Sequence, residues 1–255
     1  MPLTSDQLIV PQWPAPDHIQ AFTTVRHGGV SDAPYDSLNL GFHVNDRPEH
    51  VAQNVQLIQD TIGSDVHLAW MKQVHGVTVC SPKAVESEIT EGDAMYTSEE
   101  RVACSVLSAD CLPVLFCDRE GNEVGASHAG WRGLAAQILS KTLSHFSAQP
   151  RDVLVWLGPA IGPTAFEVGQ DVKDAFIASL GAECASSDID EAFTMCSDGK
   201  YFADLYQLAR LELRSRGVQA IYGGEHCTLS DFQFYSYRRD QVTGRMASVI
   251  VRHSS

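Results

Sequence analysis

The chain lacks the features of exported and membrane proteins. None of its apolar runs approaches the ~20 residues that a membrane-spanning helix requires. Its N-terminus has no basic region followed by an apolar stretch, which argues against a signal peptide. The seven cysteines are odd in number and form no CxxC pair, so no disulfide framework is expected. These absences predict a reduced, cytoplasmic protein.

Positive charge is also scarce: 18 lysines and arginines face 32 aspartates and glutamates, for a net charge of −14. We therefore expect no binding to nucleic acid or to an anionic membrane. Arginine is nevertheless concentrated late in the chain, where one acid, Asp240, accompanies Arg238, Arg239, Arg245 and Arg252. Guanidinium groups pair bidentately with phosphates and carboxylates, so this segment predicts an anion-binding surface, with an ordinary solvated face as the alternative.

Two arginines elsewhere are candidates for the same surface. Arg26 and Arg132 lie close to glycines, where backbone amides can face an anion as well. Two aromatic residues, Trp131 and Tyr237, are candidates for stacking on a planar base, although core packing explains them equally well.

The 255 residues contain 44% hydrophobic residues, which is an ordinary globular composition. We find no internal repeat, low-complexity tract or linker, so residues 1–255 are predicted to form a single domain. Strand and helix patterns are interleaved, but not every strand pattern is followed by a helix pattern. This order predicts a mixed α/β (α+β) fold with mixed sheets rather than a simple doubly wound sheet.

Several elements can be predicted from their patterns. Pro48 and Gly63 bracket apolar residues at helical spacing, which predicts a helix between them. Alternation over residues 37–43 predicts a half-buried strand, and residues 134–146 predict one continuous helix. Residues 113–117 and 123–127 predict a β-hairpin with a turn between them.

This hairpin brings two reactive side chains together. Cys111 precedes its first strand and His128 follows its second, while His75 ends a different strand. Thiolate and imidazole are the usual zinc ligands, and three of them leave a tetrahedral position open, as in catalytic sites. Zinc there would lower the pKa of bound water to roughly 7.

Spacing alone does not establish this metal site, because the chain has no tight ligand motif such as HExxH. A cysteine in an apolar neighbourhood is usually a small buried hydrophobe, although the irregular backbone predicted around Cys111 fits that reading poorly. Asn39 and Asp93 are short polar residues among apolar neighbours. They are expected either to hydrogen-bond a substrate or to cap turns.

A set of motifs carries a resemblance to a known family. In chain order they are Arg26-His-Gly-Gly-Val-Ser31, Ser37-Leu-Asn-Leu-Gly41, Gln73-Val-His-Gly76, Ala109-Asp-Cys-Leu-Pro-Val114, His128-Ala-Gly-Trp-Arg-Gly133, Leu157-Gly-Pro-Ala-Ile-Gly162, Phe166-Glu-Val-Gly169, Phe234-Tyr-Ser-Tyr-Arg-Arg-Asp240 and Thr243-Gly-Arg245. Together they span nearly the whole chain and resemble the YfiH family, also called laccase-domain proteins, polyphenol oxidases, purine nucleoside phosphorylases and peptidoglycan editing factors.

The resemblance implies a layered α/β/β/α fold and an active-site zinc ion bound by His75, Cys111 and His128, which would be the catalytic residues. It also implies phosphate-dependent cleavage of adenosine, inosine and methylthioadenosine, with adenosine deamination beside it. The enzyme would then be both a transferase and a hydrolase, and its partners would be a purine nucleoside and phosphate. We expect the substrate-binding residues to be Arg26, Asn39, Asp93, Arg132, Arg238 and Arg245.

Three other functions are weighed against this one. A multicopper oxidase is not expected, because no two of the ten histidines are separated by a single residue; adventitious copper at the zinc site would still oxidise phenols. Cys111 and His128 would serve equally well as nucleophile and base of a hydrolase or amidase acting on a peptidoglycan precursor. A structural metal closed by His226 or Cys227 is the third alternative. Both a monomer and a homodimer are compatible with the sequence.

Overall fold

Two β-sheets packed face to face form the centre of the molecule, in a computed structural model that describes residues 1–82 and 90–254. The strands are β1 Leu8–Ile9, β2 Ile19–Thr24, β3 His67–Leu68, β4 Met71–Lys72, β5 Val79–Cys80, β6 Thr90–Glu91, β7 Ala94–Thr97, β8 Val102–Ser108, β9 Leu112–Asp118, β10 Val124–Ala129, β11 Val153–Leu157, β12 Glu167–Gly169, β13 Phe193–Ser197, β14 Lys200–Ala203, β15 Ala220–Gly223 and β16 Met246–Arg252. The helices are α1 Pro48–Ile62, α2 Trp131–Ala135, α3 Ile138–Leu143, α4 Gln170–Leu180, α5 Ser186–Glu191, α6 Leu205–Ser215 and α7 Tyr237–Asp240.

Both large sheets are mixed. The first has the strand order β1-β2-β16-β8-β3 and the second β15-β11-β9-β10-β7-β5. Most neighbours are antiparallel, whereas β3 with β8, β5 with β7 and β11 with β15 are parallel. A small sheet of β12, β14 and β13 and the pair β4-β6 complete the described strands.

The space between the two large sheets is filled by apolar side chains from both. Val106 and Ile250 of the first sheet meet Leu115 and Ala126 of the second in one buried cluster. Because successive strand residues point to opposite faces, each sheet also has an outward apolar face that must be covered.

Helices cover those outward faces. Helix α1 packs on the five-stranded sheet, where Ile58 joins a cluster with Val249. On the other side, Phe116 of β9 packs with Leu139 of α3 and Leu208 of α6. The order of layers is therefore helix, sheet, sheet, helix, which confirms the predicted α/β/β/α fold in a single mixed domain.

The predicted helix between Pro48 and Gly63 is confirmed. Pro48 stands in the first turn, where its missing N–H costs no hydrogen bond, and Gly63 ends the helix with a φ of 108°. Val51, Ile58 and Ile62 lie on the buried face. The spacing of apolar residues was sufficient to predict this helix because one of its faces packs against a sheet.

The strand predicted over residues 37–43 is wrong. This segment is a loop, and isolated backbone bonds to Arg26 and Arg245, together with a side chain of α1, satisfy its backbone instead of a strand ladder. Asn54, which is fully buried in α1, donates from its amide to the carbonyl oxygens of Ser37 at 3.1 Å and Asn39 at 2.9 Å. Residues 38–41 are all buried, so the alternation of polar and apolar residues does not correspond to an alternation of burial.

The single helix predicted over residues 134–146 is also wrong, since it is broken between α2 and α3. Gln137 adopts a left-handed conformation with φ 63° at the break. Its amide donates to the Ser179 carbonyl at 2.8 Å, and its side-chain oxygen accepts from Arg216 at 2.8 Å. These distant partners stabilise the left-handed conformation at the break, and no local sequence pattern predicts them.

The predicted hairpin is confirmed as β9 and β10. Val124 pairs with Cys117 near the turn, and His128 pairs with Pro113 at the open end. Its length delivers His128 inside β10 rather than after it. Among the described residues, no helix has the length and apolar character needed to cross a bilayer.

Candidate metal centre

The structure brings His75, Cys111 and His128 together at the open end of the hairpin. Their candidate ligand atoms all lie within 4.8 Å of one another. The Cys111 Sγ atom is 3.9 Å from Nε2 of His75. His75 is exposed, Cys111 is half-buried and His128 is buried, so the centre has one side open to solvent.

Two features of the backbone place the first two ligands. Cys111 lies in the bend between β8 and β9, next to the paired residues Pro113 and His128. His75 follows β4 in a left-handed conformation with φ 60°. A non-glycine residue rarely holds this conformation without outside support, and a buried carboxylate provides that support here.

That carboxylate belongs to Asp93, which is fully buried. Its Oδ2 accepts hydrogen bonds from the amides of Val74 at 3.2 Å and Gly76 at 2.6 Å. Its Oδ1 accepts from the amide of His75 at 2.9 Å. Three successive amides thus converge on one side chain, and this convergence fixes the loop that carries His75.

Asp93 also orients His128. Its Oδ1 lies 2.9 Å from Nδ1 of the imidazole, and its carbonyl oxygen accepts from the His128 amide at 2.7 Å. Burial opposes ionisation of Asp93, but the hydrogen bonds from His128 and the amides outweigh it and lower its pKa. An ionised carboxylate only accepts, so Nδ1 donates and Nε2 is left for a ligand, as in carboxylate–histidine–metal arrangements.

The electrostatics favour the thiolate form of Cys111. Burial alone would raise the pKa of the thiol, but the imidazoles of His128 and His75 reverse this and lower it. Burial likewise disfavours the charged form of His128, yet Cys111 and Asp93 raise its pKa. The thiolate is the form that binds metals and attacks electrophiles, so the site is compatible with metal binding and with nucleophilic catalysis.

Asp110 holds the cysteine in place, a role that the sequence did not predict. It has φ 92°, and its Oδ1 accepts from the Thr228 hydroxyl at 2.6 Å. Its Oδ2 accepts from the Arg238 amide at 2.7 Å, and its carbonyl oxygen accepts from the Ile161 amide at 2.9 Å. Three distant segments therefore converge on the residue before Cys111. The only signal in the sequence was an acidic residue where the strand pattern stopped.

Gly130 leaves space at the centre. A methyl group placed on its α-carbon would lie 3.1 Å from the Cys111 Sγ atom and 3.1 Å from Cδ2 of His75. One thiolate and two imidazoles form the donor set of a zinc site with an open fourth position. The residues therefore fit a metal ion both in the chemistry of their donors and in the space between them.

The fourth ligand considered for a structural site is not in this group. Within the described residues, the cluster of potential ligands contains neither His226 nor Cys227. The ring of His226 packs against Phe234 with centroids 5.3 Å apart. The Cys227 Sγ atom instead accepts a hydrogen bond from the Gly162 amide at 3.2 Å.

The predicted substrate residues Asn39 and Asp93 both have internal partners. Asn39 is completely buried, and its Oδ1 accepts from the amides of Gly41 and Arg245, each at 2.9 Å. Its amide group donates to Asp46 at 2.9 Å. In this structure both side chains hold other parts of the site in place, and their direct contact with a substrate stays a prediction.

The predicted arginines lie in different environments. Arg26 pairs with Asp36 at 3.4 Å and with Asp240 at 3.9 Å. Arg132 lies over the Trp131 ring at 4.4 Å. The sequence identified these side chains by type, but only the fold shows which of them have carboxylate partners.

The remaining two arginines have no carboxylate partner in the described part of the chain. The Arg238 guanidinium lies 5.4 Å from the centre of the Phe166 ring. That of Arg245 lies 5.9 Å from the centre of the Tyr237 ring. Burial lowers the pKa of the Arg245 guanidinium, and the negative charge of the Cys111 thiolate offsets part of this effect.

Known proteins are similar to this chain along nearly their whole length. Purine nucleoside phosphorylase PA4543 of Pseudomonas aeruginosa is 48% identical over 243 residues, covering 95% of this chain and 97% of the relative. Purine nucleoside phosphorylase YfiH of Escherichia coli K12 is 48% identical over 245 residues, covering 96% and 98%.

Solved structures have the same fold. The Neisseria meningitidis protein NMB0706 superposes with a TM-score of 0.91 at 44% identity, covering 97% of this chain and 100% of that one. A family model described as multi-copper polyphenol oxidoreductase laccase matches residues 20–253. Since the match covers most of the chain and the relatives are similar along their whole length, the chain belongs to the YfiH family, whose model bears the laccase description.

Proposed function

We propose that this protein is a zinc-dependent purine nucleoside phosphorylase that cleaves adenosine, inosine and methylthioadenosine, with adenosine deamination as a second activity. The observation that carries the proposal is the convergence of His75, Cys111 and His128 on one partly open point. It is supported by two relatives, each 48% identical, that are named purine nucleoside phosphorylases. The proposed setting is the cytoplasm, as a monomer or homodimer.

The proposed ligands are the Cys111 thiolate and one nitrogen each of His75 and His128. Zinc held by these three side chains would supply Lewis-acid chemistry at the site. Asp93 holds the loop of His75 and the ring of His128 in fixed orientations, so little reorganisation is needed when substrate binds. Trp131 and the half-exposed Tyr237 are proposed to stack on the purine.

Phosphorolysis requires the phosphate to approach the anomeric carbon of the ribose while the base leaves. Arginines bind phosphate through parallel N–H donors, and Arg26, Arg132, Arg238 and Arg245 are the proposed candidates. Asn39 and Asp93 contribute by keeping these groups and the ligand loop in position. The reaction then depends mainly on positioning and on electrostatic stabilisation.

Product analysis by chromatography tests this proposal. Purified zinc-loaded protein is incubated with adenosine, with and without phosphate, beside a Cys111→Ala variant. Adenine and ribose-1-phosphate appearing only with phosphate, and not with the variant, are expected for a phosphorylase. Inosine in both conditions is expected from deamination. Unchanged adenosine with demonstrably bound zinc would contradict the proposal.

A second candidate is a hydrolase or amidase that acts on a peptidoglycan precursor. The observation that favours it is the close approach of Cys111 and His128. His128 lowers the pKa of the Cys111 thiol, and Cys111 raises the pKa of the His128 imidazole, so a thiolate and an imidazolium are favoured. Such an enzyme needs no metal. Hydrolysis of cell-wall peptides that persists after chelation would support it, and its loss on chelation would count against it.

A further inference from the structure

Among the residues that the structure describes, Arg245 shares with Arg238 the absence of an acidic partner for its guanidinium, unlike the other two arginines of the C-terminal segment. Arg239 pairs with Asp240 at 2.9 Å, and Arg252 pairs with Glu100 at 3.3 Å. Within residues 1–82 and 90–254, Arg245 forms no ion pair. A half-buried guanidinium without a carboxylate is costly unless another anion compensates for its charge.

The hydrogen bonds of Arg245 leave part of its guanidinium free. Nη1 donates to the carbonyl oxygens of Thr243 and Gly244, each at 3.0 Å. Nε and Nη2 have no acceptor among the described residues. These two atoms form the edge of the guanidinium that binds a phosphate or carboxylate bidentately, and the carbonyls at Nη1 hold that edge in one orientation.

An unpartnered hydroxyl belongs to a residue that contacts this guanidinium through its carbonyl oxygen. Thr243 is 2% exposed, and its Oγ1 atom has no hydrogen-bond partner. The carbonyl oxygen of the same residue is 3.0 Å from Nη1 of Arg245, so the threonine and the guanidinium are immediate neighbours. Buried hydroxyls are almost always hydrogen-bonded, so one that is unpartnered here indicates a missing acceptor.

The surroundings place this pair beside the metal centre. Met246, the residue after Arg245, pairs with Ser108 at the end of β8, three positions before Cys111, which brings Arg245 close to the bend that carries the cysteine. Tyr237 is 52% exposed and has its ring 5.9 Å from the guanidinium carbon. The guanidinium therefore lies near a solvent-facing aromatic ring as well as near the bend that carries Cys111.

We propose that Arg245 and Thr243 form the phosphate subsite of this enzyme, with the free edge of the guanidinium and the threonine hydroxyl as donors. This inference rests on the proposed function, which leaves open which arginine holds phosphate. Arg26 already has two carboxylate partners, and Arg132 is an exposed side chain that stacks on its neighbour Trp131. Both terminal nitrogens of Arg238 donate to the Glu167 carbonyl oxygen, at 3.3 and 3.4 Å. Arg245 combines burial, free donors and proximity to Cys111.

Direct binding of inorganic phosphate to the zinc-loaded protein tests the subsite. Isothermal titration calorimetry is carried out on the wild type and on the variants Arg245→Gln and Thr243→Val. Hydrogen bonds to a charged ligand predict a Kd for phosphate that is about 10- to 100-fold higher in Arg245→Gln, and roughly 5-fold higher in Thr243→Val. Arg214→Gln, at an exposed arginine of α6, makes the same charge change and should bind like the wild type.

Steady-state kinetics give an independent readout. The KM for phosphate should rise in both subsite variants, while the KM for adenosine changes by less than about twofold, because the effect is confined to one substrate. Titration with acetate separates the two anion classes. Tighter binding of acetate than of phosphate would overturn the assignment and indicate a carboxylate subsite.

The outcomes separate this inference from the proposed function. Phosphate binding that is lost in Arg245→Gln without any turnover in the wild type would support the subsite and refute the phosphorylase. Turnover with unchanged phosphate affinity in both variants would refute the subsite alone. No phosphate binding to the wild type would also refute it. If Arg245→Gln fails to fold, Thr243→Val, which keeps every charge, decides the matter.

Discussion

At the scale of single residues, Asp93 is the side chain on which the centre depends most. It accepts hydrogen bonds from the loop of His75 and from the ring of His128. We expect Asp93→Asn to weaken zinc binding by about 10- to 100-fold, because an amide nitrogen would face N–H groups that now meet a carboxylate. Competition with a chromogenic chelator measures the affinity. Asp65→Asn, which removes an exposed carboxylate instead, is the control and should leave the affinity unchanged.

Gly130 provides a second test at this scale. Its φ of −60° is open to alanine, so Gly130→Ala should fold normally. The added methyl group, 3.1 Å from Sγ of Cys111, would crowd the thiolate. Overpacking of this kind costs about 1–3 kcal/mol, which corresponds to roughly tenfold weaker zinc binding or more. Metal content after dialysis measures this, and full zinc occupancy in Gly130→Ala would show that the space is not needed.

The sequence predicted which candidate ligands converge better than it predicted the side chains that support them. Cys111 and His128 were found because a hairpin joins them and because motifs around them resemble a family. The role of Asp93 depends on complete burial and on a partner 35 positions away, His128. Asp110 likewise acts through Thr228, 118 positions away. No local pattern encodes such pairings, so these side chains could be identified as polar but not as supports.

At the scale of elements, the contact between α3 and α6 contains a buried acid. Oε1 of Glu212 accepts from the Ser140 amide at 2.7 Å, whereas Oε2 has no partner. Burial raises its pKa from 4.5 to about 7. Since the folded-state pKa is the higher one, the neutral acid favours folding below pH 4.5, and this contribution is lost as the pH rises through about 7.

Glu212→Gln should therefore stabilise the protein at pH 8, by about 3 kcal/mol at most, and change little at pH 4.5. The amide keeps an oxygen for the Ser140 N–H and carries no charge at any pH. Urea denaturation at several pH values measures the free energy of unfolding. An equal pH dependence in the wild type and the variant would mean that Glu212 does not titrate in this range.

The pattern of apolar residues predicted an element correctly where one face of the segment packs against a single neighbouring layer. Helix α1 follows its apolar spacing because one of its faces lies on the five-stranded sheet. Residues 37–43 and 134–146 failed for a shared reason. In both segments, side chains from elsewhere in the chain bond to the backbone or to the residue at the break, as Asn54 and Arg216 do.

At the scale of the whole molecule, the metal centre lies outside the main apolar clusters. The core between the sheets is built from Val106, Leu115, Ala126 and similar residues, none of which is a ligand. Chelation of zinc should therefore leave the far-ultraviolet circular dichroism unchanged. The Tm should fall by roughly 10 °C if zinc was present at about 1,000 times its Kd, because only the ligand-binding contribution is lost. Unfolding on chelation would instead indicate a structural metal.

The position of β16 has a consequence for how the protein is made. This strand lies between β2 and β8 in the five-stranded sheet, although it follows every other strand in the chain. Until β16 has been translated, β2 and β8 each have one edge without a partner strand, and the position between them is unfilled. Arg245 and Thr243 arrive with the same segment. The nascent chain thus acquires its sheet, and the side chains proposed to hold phosphate, in one late step after more than 240 residues have been synthesised.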